Sequence, residues 1–391
     1  MKKRKIVIVG GGIGGLCLAR YLVADGHQVT IVERAADFSA QGHSIAFRGV
    51  GIQVTDELGL TEGVDRAGRE YVVTHSRTMD GKLLRSVSTV DQAKAVGGVK
   101  VTQRGLLHTA LHDNLPKKIR LMFGVRPVAI TESGEKVTVE LNDGTSLEAD
   151  IVVGADGANS AVRALVMPEM EVVDCGGVYA AMSIKTDHGL PINEVNTYYG
   201  TAQVVGFFPV NAQEVALVIY QDDGHEAPPP NNDPVAWAPY LARVTAGAAE
   251  PVHRILSALK AGDDVYHDRI RRVPPQPVVK GRVALLGDSG YAPTFFAGNG
   301  AGIAAVGAYV LHKCLLNSDD DRAALAAYND CIVPLAAGYQ ANATRLRAAI
   351  FARSPFKTAL RRFALKYTPA FVYAIGMRRH YKGAVKLADL L

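Results

Sequence analysis

The sequence predicts an α/β fold in which a parallel-sheet domain is interleaved with a mixed β-sheet domain and followed by C-terminal helices. Three observations predict it. The segment Gly10-Gly11-Gly12-Ile13-Gly14-Gly15 joins a run of β-formers to an apolar helix. Two later segments, Gly154-Ala155-Asp156-Gly157 and Gly287-Asp288-Ser289-Gly290, each close an apolar strand. At 391 residues, 48% hydrophobic and with 39 glycines, the chain can bury the cores of two such domains.

The first strand is Ile6-Val7-Ile8-Val9, and the helix after it begins within Leu16-Cys17-Leu18-Ala19-Arg20-Tyr21-Leu22. Gly10, Gly12 and Gly15 stand at the spacing at which one glycine permits a tight turn, one lets backbone approach a pyrophosphate, and one allows close helix packing. Ile13 and Gly14 complete the turn, and the helix N-terminus offers free N–H groups to phosphate. A second strand, His27 to Val32, ends in Glu33, about twenty residues beyond the glycines, where a carboxylate binds the hydroxyls of an unphosphorylated adenosine ribose. Arg34 is set to stack on adenine or reach a phosphate. The basic start, Lys2 to Lys5, before an apolar run imitates a signal peptide, but the glycines and Arg20 break that run. The four cysteines, Cys17, Cys175, Cys314 and Cys331, form no paired spacing, so a reduced, cytoplasmic setting without a cysteine metal site is expected.

Further along, Leu106, Leu107 and Leu111 mark a helix, and strands are expected at 119–123, 137–141 and 151–153, with a hairpin turn at Asn142-Asp143-Gly144. Asp156 then sits where a carboxylate can meet polyol hydroxyls or order a pyrophosphate loop. The strand Arg282 to Leu286 delivers Asp288 at its end. Gly298-Asn299-Gly300-Ala301-Gly302 precedes a small apolar helix, whose N–H groups near Gly300 and Ala301 form a second site for negative charge. Strands at 178–184, 197–199, 204–210 and 215–220 form the covering sheet, and the polar, proline-rich stretch 222–234 reads as a surface loop.

With these motifs assembled, the chain resembles the class A flavoprotein monooxygenases, which include para-hydroxybenzoate hydroxylase and, nearest in size, the tetracycline-inactivating monooxygenases. The resemblance spans roughly residues 5 to 340 and rests on the N-terminal glycines with Glu33-Arg34, on Gln103-Arg104-x-x-Leu107-x-x-x-Leu111, on Asp150 to Arg163, and on Gly287-Asp288 with Pro293 and Gly300. It implies a Rossmann-like FAD-binding domain of residues 1–70, 99–172 and 272–330 and a mixed β-sheet substrate domain of 71–98 and 173–271; residues 331–391 read by their charge as a basic helical region. It further implies that Glu33 binds the adenosine ribose, Arg104 contacts FAD near the phosphates or ribityl chain, and Val128 offers backbone groups to adenine. Asp156 would serve FAD and NAD(P)H binding, and Asp288 would hold the ribityl chain. The implied reaction is reduction of FAD by NADH or NADPH, formation of a C4a-hydroperoxide with O2, and hydroxylation or epoxidation of an aromatic, polyketide or quinolone-like small molecule. Two departures stand out: Tyr291 occupies a place where many members have histidine, and Gly307 and its neighbours stand where many have an aspartate.

Substrate-pocket candidates are Tyr199, Phe207, Tyr220, Thr294, Phe295 and Phe296, with Arg48, Tyr291 and Pro293 as candidates nearest the chemistry. Pro293 to Phe296 lie between the ribityl-binding aspartate and the flavin-facing glycines, so chain connectivity brings them near the ring. Among eleven histidines, His43, His75 and His108 could deprotonate a phenol, and spacing selects none of them; no metal-like spacing occurs. The C-terminal region holds eleven basic residues and one acid, Asp389, and carries Phe351, Phe356, Leu360, Phe363, Phe371 and Tyr373. That suits either a solvated helical layer attracting NAD(P)H or weak contact with an anionic membrane surface. No nucleic-acid motif occurs, and a monomer or homodimer is expected. Trp237, the single tryptophan, lacks the paired-tryptophan signature of flavin halogenases. A reductase, an oxidase or a non-catalytic ligand-binding flavoprotein remain alternatives on the same scaffold.

Overall fold

The computed structural model describes residues 2–38, 44–95, 98–113, 115–223, 226–230, 232–261, 263–294, 297–351 and 354–369, together with 372, 375, 387 and 390. Phe295, Phe296, His43, Phe371 and Tyr373 therefore lie outside the described residues.

Strand Lys5–Val9 is apolar on both faces and sits inside a six-stranded sheet ordered Val279–Lys280, Val283–Leu285, Ile151–Gly154, Lys5–Val9, Gln28–Glu33, Arg120–Phe123. All neighbours are parallel except the Val279–Lys280 edge. Because both faces must be covered, helices flank the sheet. Ile13–Ala24 packs against Gly300–Asn317, a helix apolar nearly all round and buried accordingly. The register aligns Val9 with Gly154 and with Val32, so the glycine loop, the acidic end of the second strand and the Gly154 turn meet at one sheet edge. In open sheets of this kind ligands bind outside the carboxyl ends of the strands, where the order reverses.

A seven-stranded, mostly antiparallel sheet draws its strands from Asp264–Arg272, Val173–Lys185, Glu214–Gln221, Gln203–Asn211, Glu194–Tyr199, Val73–Thr78 and Leu83–Ser88 in spatial order. Its outer face packs on helices Pro234–Val244 and Glu250–Ser257, with Trp237 and Phe207 in that apolar layer. The anticipated strands are present, and Val173–Lys185 begins five residues before the expected 178. Asp264–Arg272 was not legible because its charged run hides the alternation.

Two expectations are corrected. Position 331 is not a boundary, since helix Asp321–Ile350 runs through it and buries Tyr328, Ile332 and Ala336 in the main core. The stretch 222–234 does not begin at the surface: Asp222 is buried and pairs with Arg347 at 3.1 Å. At the far end of the parallel sheet, buried Asp321 accepts from Lys2 (2.8 Å), Arg4 (2.7 Å) and Arg282 (2.6 Å), tying the first strand, the start of strand Val283–Leu285 and the long helix together.

Candidate active site

The glycine loop takes its shape from steric exclusion. Gly10 has φ +107°, and a Cβ there would lie 2.3 Å from the Ala155 carbonyl oxygen. One on Gly15 would lie 2.1 Å from the Gly10 carbonyl, so Gly15 serves helix-to-turn packing and does not reach the cavity. Gly12 differs: its nearest neighbour for an added Cβ is Ala155 O at 3.9 Å, and it faces open space together with Gly10, Ile13 and Gly14. Glu33 is held against this loop by accepting from Gly11 N (2.8 Å) and Ala35 N (2.9 Å), and Arg34 lies beside it on the cavity wall. Val128 is exposed and off the cavity wall, where its neighbours Val125, Arg126 and Pro127 stand instead.

His108 Nε2 lies 2.6 Å from the Gly11 carbonyl, which can only accept, so this nitrogen carries the proton. Burial lowers the ring's pKa, partly offset by that bond. Its Nε2–H thus holds the glycine loop, and Nδ1, the nitrogen left with a lone pair, is buried without a hydrogen-bond partner. His75 bonds Ser86 (2.8 Å) and Glu194 (3.0 Å) and does not line the cavity.

The two later motifs interlock. Asp156 accepts from Ser160 Oγ (2.5 Å), Ala161 N (2.6 Å) and Val162 N (3.1 Å), so its carboxylate orders the turn into helix Ala161–Val166 while its edge lines the cavity. Arg163, whose part the sequence did not disclose, donates to Ala158 O (2.6 Å) and Ser289 O (2.7 Å), clamping one motif to the other. Ser289 Oγ adds a bond to Gly154 O at 2.5 Å.

Asp288 is enclosed by protein yet exposed into the cavity. Desolvation pushes its pKa up, and the Arg104 guanidinium pulls the other way. Gly300 and Ala301 open helix Gly300–Asn317 on the same wall, with Asp288 Oδ1 3.9 Å from where a Gly300 Cβ would be. Arg48 braces the approach to that helix by donating to Gly298 O (2.8 Å). Between them Pro293 and Thr294 line the cavity. Thr294 has φ +73°, a strained backbone for a β-branched residue.

Tyr291, in contrast, is turned into the core. It is 1% exposed, its hydroxyl lies 3.2 Å from that of Tyr328, and a Cβ on Gly307 would meet it at 1.9 Å. The small residue at 307 and the tyrosine at 291 are therefore two halves of one packing contact, and Tyr291 is no catalytic group.

On the sheet side, strand alternation decides which aromatics face inward. Tyr199, Tyr220 and Phe208 line the cavity, whereas Phe207 points to the opposite face and packs edge-on to Tyr198 (5.8 Å). Phe207 is thus removed from the pocket and Phe208 replaces it; the sequence named the pair's neighbourhood but not its register. Tyr179 and Tyr266, also missed, bring their hydroxyls within 3.3 Å of each other on the same wall, and burial raises both pKa values, so they remain protonated donors. Helix Pro355–Tyr367 closes this side: Arg361 sits over the Tyr199 ring (5.4 Å) and donates to Gly200 O (2.5 Å) and to Ile350 O.

The cavity so enclosed measures about 1680 Å³ and runs continuously from Glu33 to Tyr199. Single small-ligand sites span about 300–1,000 Å³, so this one has room for a dinucleotide and a second molecule. The glycine cradle, the cavity-facing Asp288 and the Gly300 helix terminus fit FAD: amide donors for its pyrophosphate, a carboxylate for a polyol, and a positive dipole end for an electron-rich ring. Among the described residues no three His, Cys, Asp or Glu side chains converge as for a metal.

Comparison with known proteins agrees. A family model described as an FAD binding domain matches residues 3–337. A "Flavin-dependent monooxygenase" from an unknown prokaryotic organism is 26% identical over 341 residues, covering 86% of this chain and 88% of its own. An "Aurachin C monooxygenase/isomerase" of Stigmatella aurantiaca is 28% identical over 345 residues, covering 87% and 88%. The structure of Klebsiella pneumoniae HpxO complexed with FAD and uric acid shares the fold, with a TM-score of 0.85 at 23% identity over 97% of this chain and 96% of that one.

Proposed function

Because the chain belongs to the FAD-binding-domain family of flavin-dependent monooxygenases, we propose that it uses NADH or NADPH and O2 to insert one oxygen atom into an apolar, electron-rich ring compound. When bound, FAD supplies the redox chemistry, taking electrons from the nicotinamide and passing them to O2 so that one oxygen atom enters the substrate and the other leaves as water.

The chain's own residues bind, orient and exclude water. Gly12 and Gly14 would present amides to the pyrophosphate, Glu33 the adenosine ribose, and Val125 to Pro127 the adenine edge. Asp288 and Arg104 would hold the ribityl chain, and Asp156 keeps the adjoining turn in register. The N–H groups of Gly300 and Ala301 would stabilise negative charge on the far side of the ring. Tyr199, Phe208 and Tyr220 give the substrate side an apolar wall that keeps water out. The Tyr179–Tyr266 pair is a polar feature on that wall suited to orienting a ring oxygen, as donor and not as base. The observation that carries this reading is Asp288 facing a continuous cavity between the glycine cradle and the aromatic sheet face. An aurachin-type or quinolone-like ring is the substrate this reading favours, after the names of two relatives.

The test is direct. Asp288→Ala should purify with little flavin and lose ring-dependent NAD(P)H oxidation, while the wild type oxidises NADH or NADPH faster when offered quinolones, polyketides or phenols. An Asp288→Ala protein with full flavin and unchanged turnover would remove the assignment.

A further inference from the structure

Helix Pro355–Tyr367 exposes Phe356, Leu360, Phe363 and Tyr367 at 76%, 55%, 62% and 58%. Their spacing is i, i+4, i+7 and i+11, which sets them on one stripe of an α-helix. Single exposed apolar side chains are ordinary on a protein surface, but a contiguous apolar stripe marks an interaction site. Lys357, Arg362 and Lys366, all exposed, flank it. No acidic residue occurs in the helix, and residues 331–391 hold eleven basic residues against the single Asp389. The adjoining flank of the same helix forms part of the cavity wall through Arg361 and Leu365, and Leu360 belongs to both the wall and the stripe.

We propose that this face docks on an anionic lipid surface, the stripe entering the acyl boundary while Lys357, Arg362 and Lys366 meet the headgroups. Aromatic residues along an apolar stripe flanked by lysine and arginine are the composition of a helix that lies in a membrane interface. Among the described residues no helix is long and apolar enough to cross a membrane, so the contact is with the surface. A second copy is the poorer occupant: a two-fold contact through this face would set its basic flanks against one another with no acid on the helix to offset them. Docking in this pose lays the Leu360 side of the cavity wall against the lipid, a route for an apolar ring compound; that consequence alone rests on the proposed function.

The experiment is co-sedimentation of the FAD-loaded protein with phosphatidylcholine vesicles and with vesicles enriched in phosphatidylglycerol. Wild type should bind the anionic vesicles at least about tenfold better, and added salt should release it. Phe363→Ser and the double variant Arg362→Glu/Lys366→Glu should each cut binding by about tenfold, with flavin content and melting temperature unchanged. Failure of wild type to sediment with anionic vesicles, or equal binding by the variants, overturns the proposal. So does a wild-type dimer in sedimentation velocity that the same variants dissociate, since the stripe would then belong to a second copy. No turnover is measured, so the outcome is separate from that of the monooxygenase reading.

Discussion

Alanine at Gly12 separates binding from folding at a single atom. Gly12 has ordinary extended backbone, φ −74° and ψ −177°, and an added methyl meets nothing in the protein closer than 3.9 Å. As an N-cap, Gly→Ala costs under about 1 kcal/mol of stability. The methyl instead enters the space where the pyrophosphate of FAD would lie against the loop amides. Losing one charge-assisted N–H···O⁻ bond costs about 1.5–3 kcal/mol. At about 1.4 kcal/mol per factor of ten, FAD affinity should fall about 10- to 150-fold. Gly10→Ala is the contrast: φ +107° and a 2.3 Å approach to Ala155 O force the first strand and the Gly154 turn apart, so melting temperature and affinity should fall together. The assay is titration of stripped protein with FAD by fluorescence, beside thermal melting. If Gly12→Ala binds FAD within about threefold of wild type, the cradle is not where the pyrophosphate sits.

Two further outcomes follow from the packing. Phe207 and Phe208 should part company: Phe208→Ala raises KM for the ring substrate with little loss of stability, while Phe207→Ala, fully buried beside Tyr198, costs about 3–5 kcal/mol in denaturant melts; the reverse pattern would mean the sheet register is shifted. At Asp321, burial raises the pKa, but bonds from Lys2, Arg4 and Arg282 more than offset it and hold the group at about 2 against an ordinary 3.8. A folded-state value below the unfolded one means stability present above about pH 4 and lost as pH falls towards about 2, an amount on the order of 2 kcal/mol. Asp321→Asn should flatten that part of the stability–pH curve measured by urea melts, and an unchanged slope would deny the cluster its role.

How much of this was legible in the sequence depended on whether a residue's role is local. Gly10, Gly12, Gly15 and Glu33 lie within one strand–turn–helix–strand unit, so their spacing, read with the two later motifs, was enough to single them out. Asp156 and Asp288 were found because each ends an apolar strand, although the hydrogen bonds show that Asp156 spends its carboxylate on its own turn. What failed was long-range. Phe207 and Phe208 differ only in strand parity, which pairing with Glu194–Tyr199 and Glu214–Gln221 fixes. Tyr291 faces inward because Gly307 leaves room for its ring, a contact across sixteen residues of chain and two elements. Arg163 and Arg361 work by capping carbonyls in segments more than a hundred residues away, which no spacing rule anticipates.

The central claim is oxygen insertion, and isotope transfer tests it most directly. The FAD-loaded protein, NADH or NADPH and a quinolone-like or phenolic ring compound are incubated under ¹⁸O2, with the product analysed by mass spectrometry. One ¹⁸O atom per product molecule, matched to one nicotinamide oxidised, is the predicted result. Nicotinamide oxidation that yields only hydrogen peroxide with every ring compound offered, or a product whose new oxygen comes from water, would contradict it.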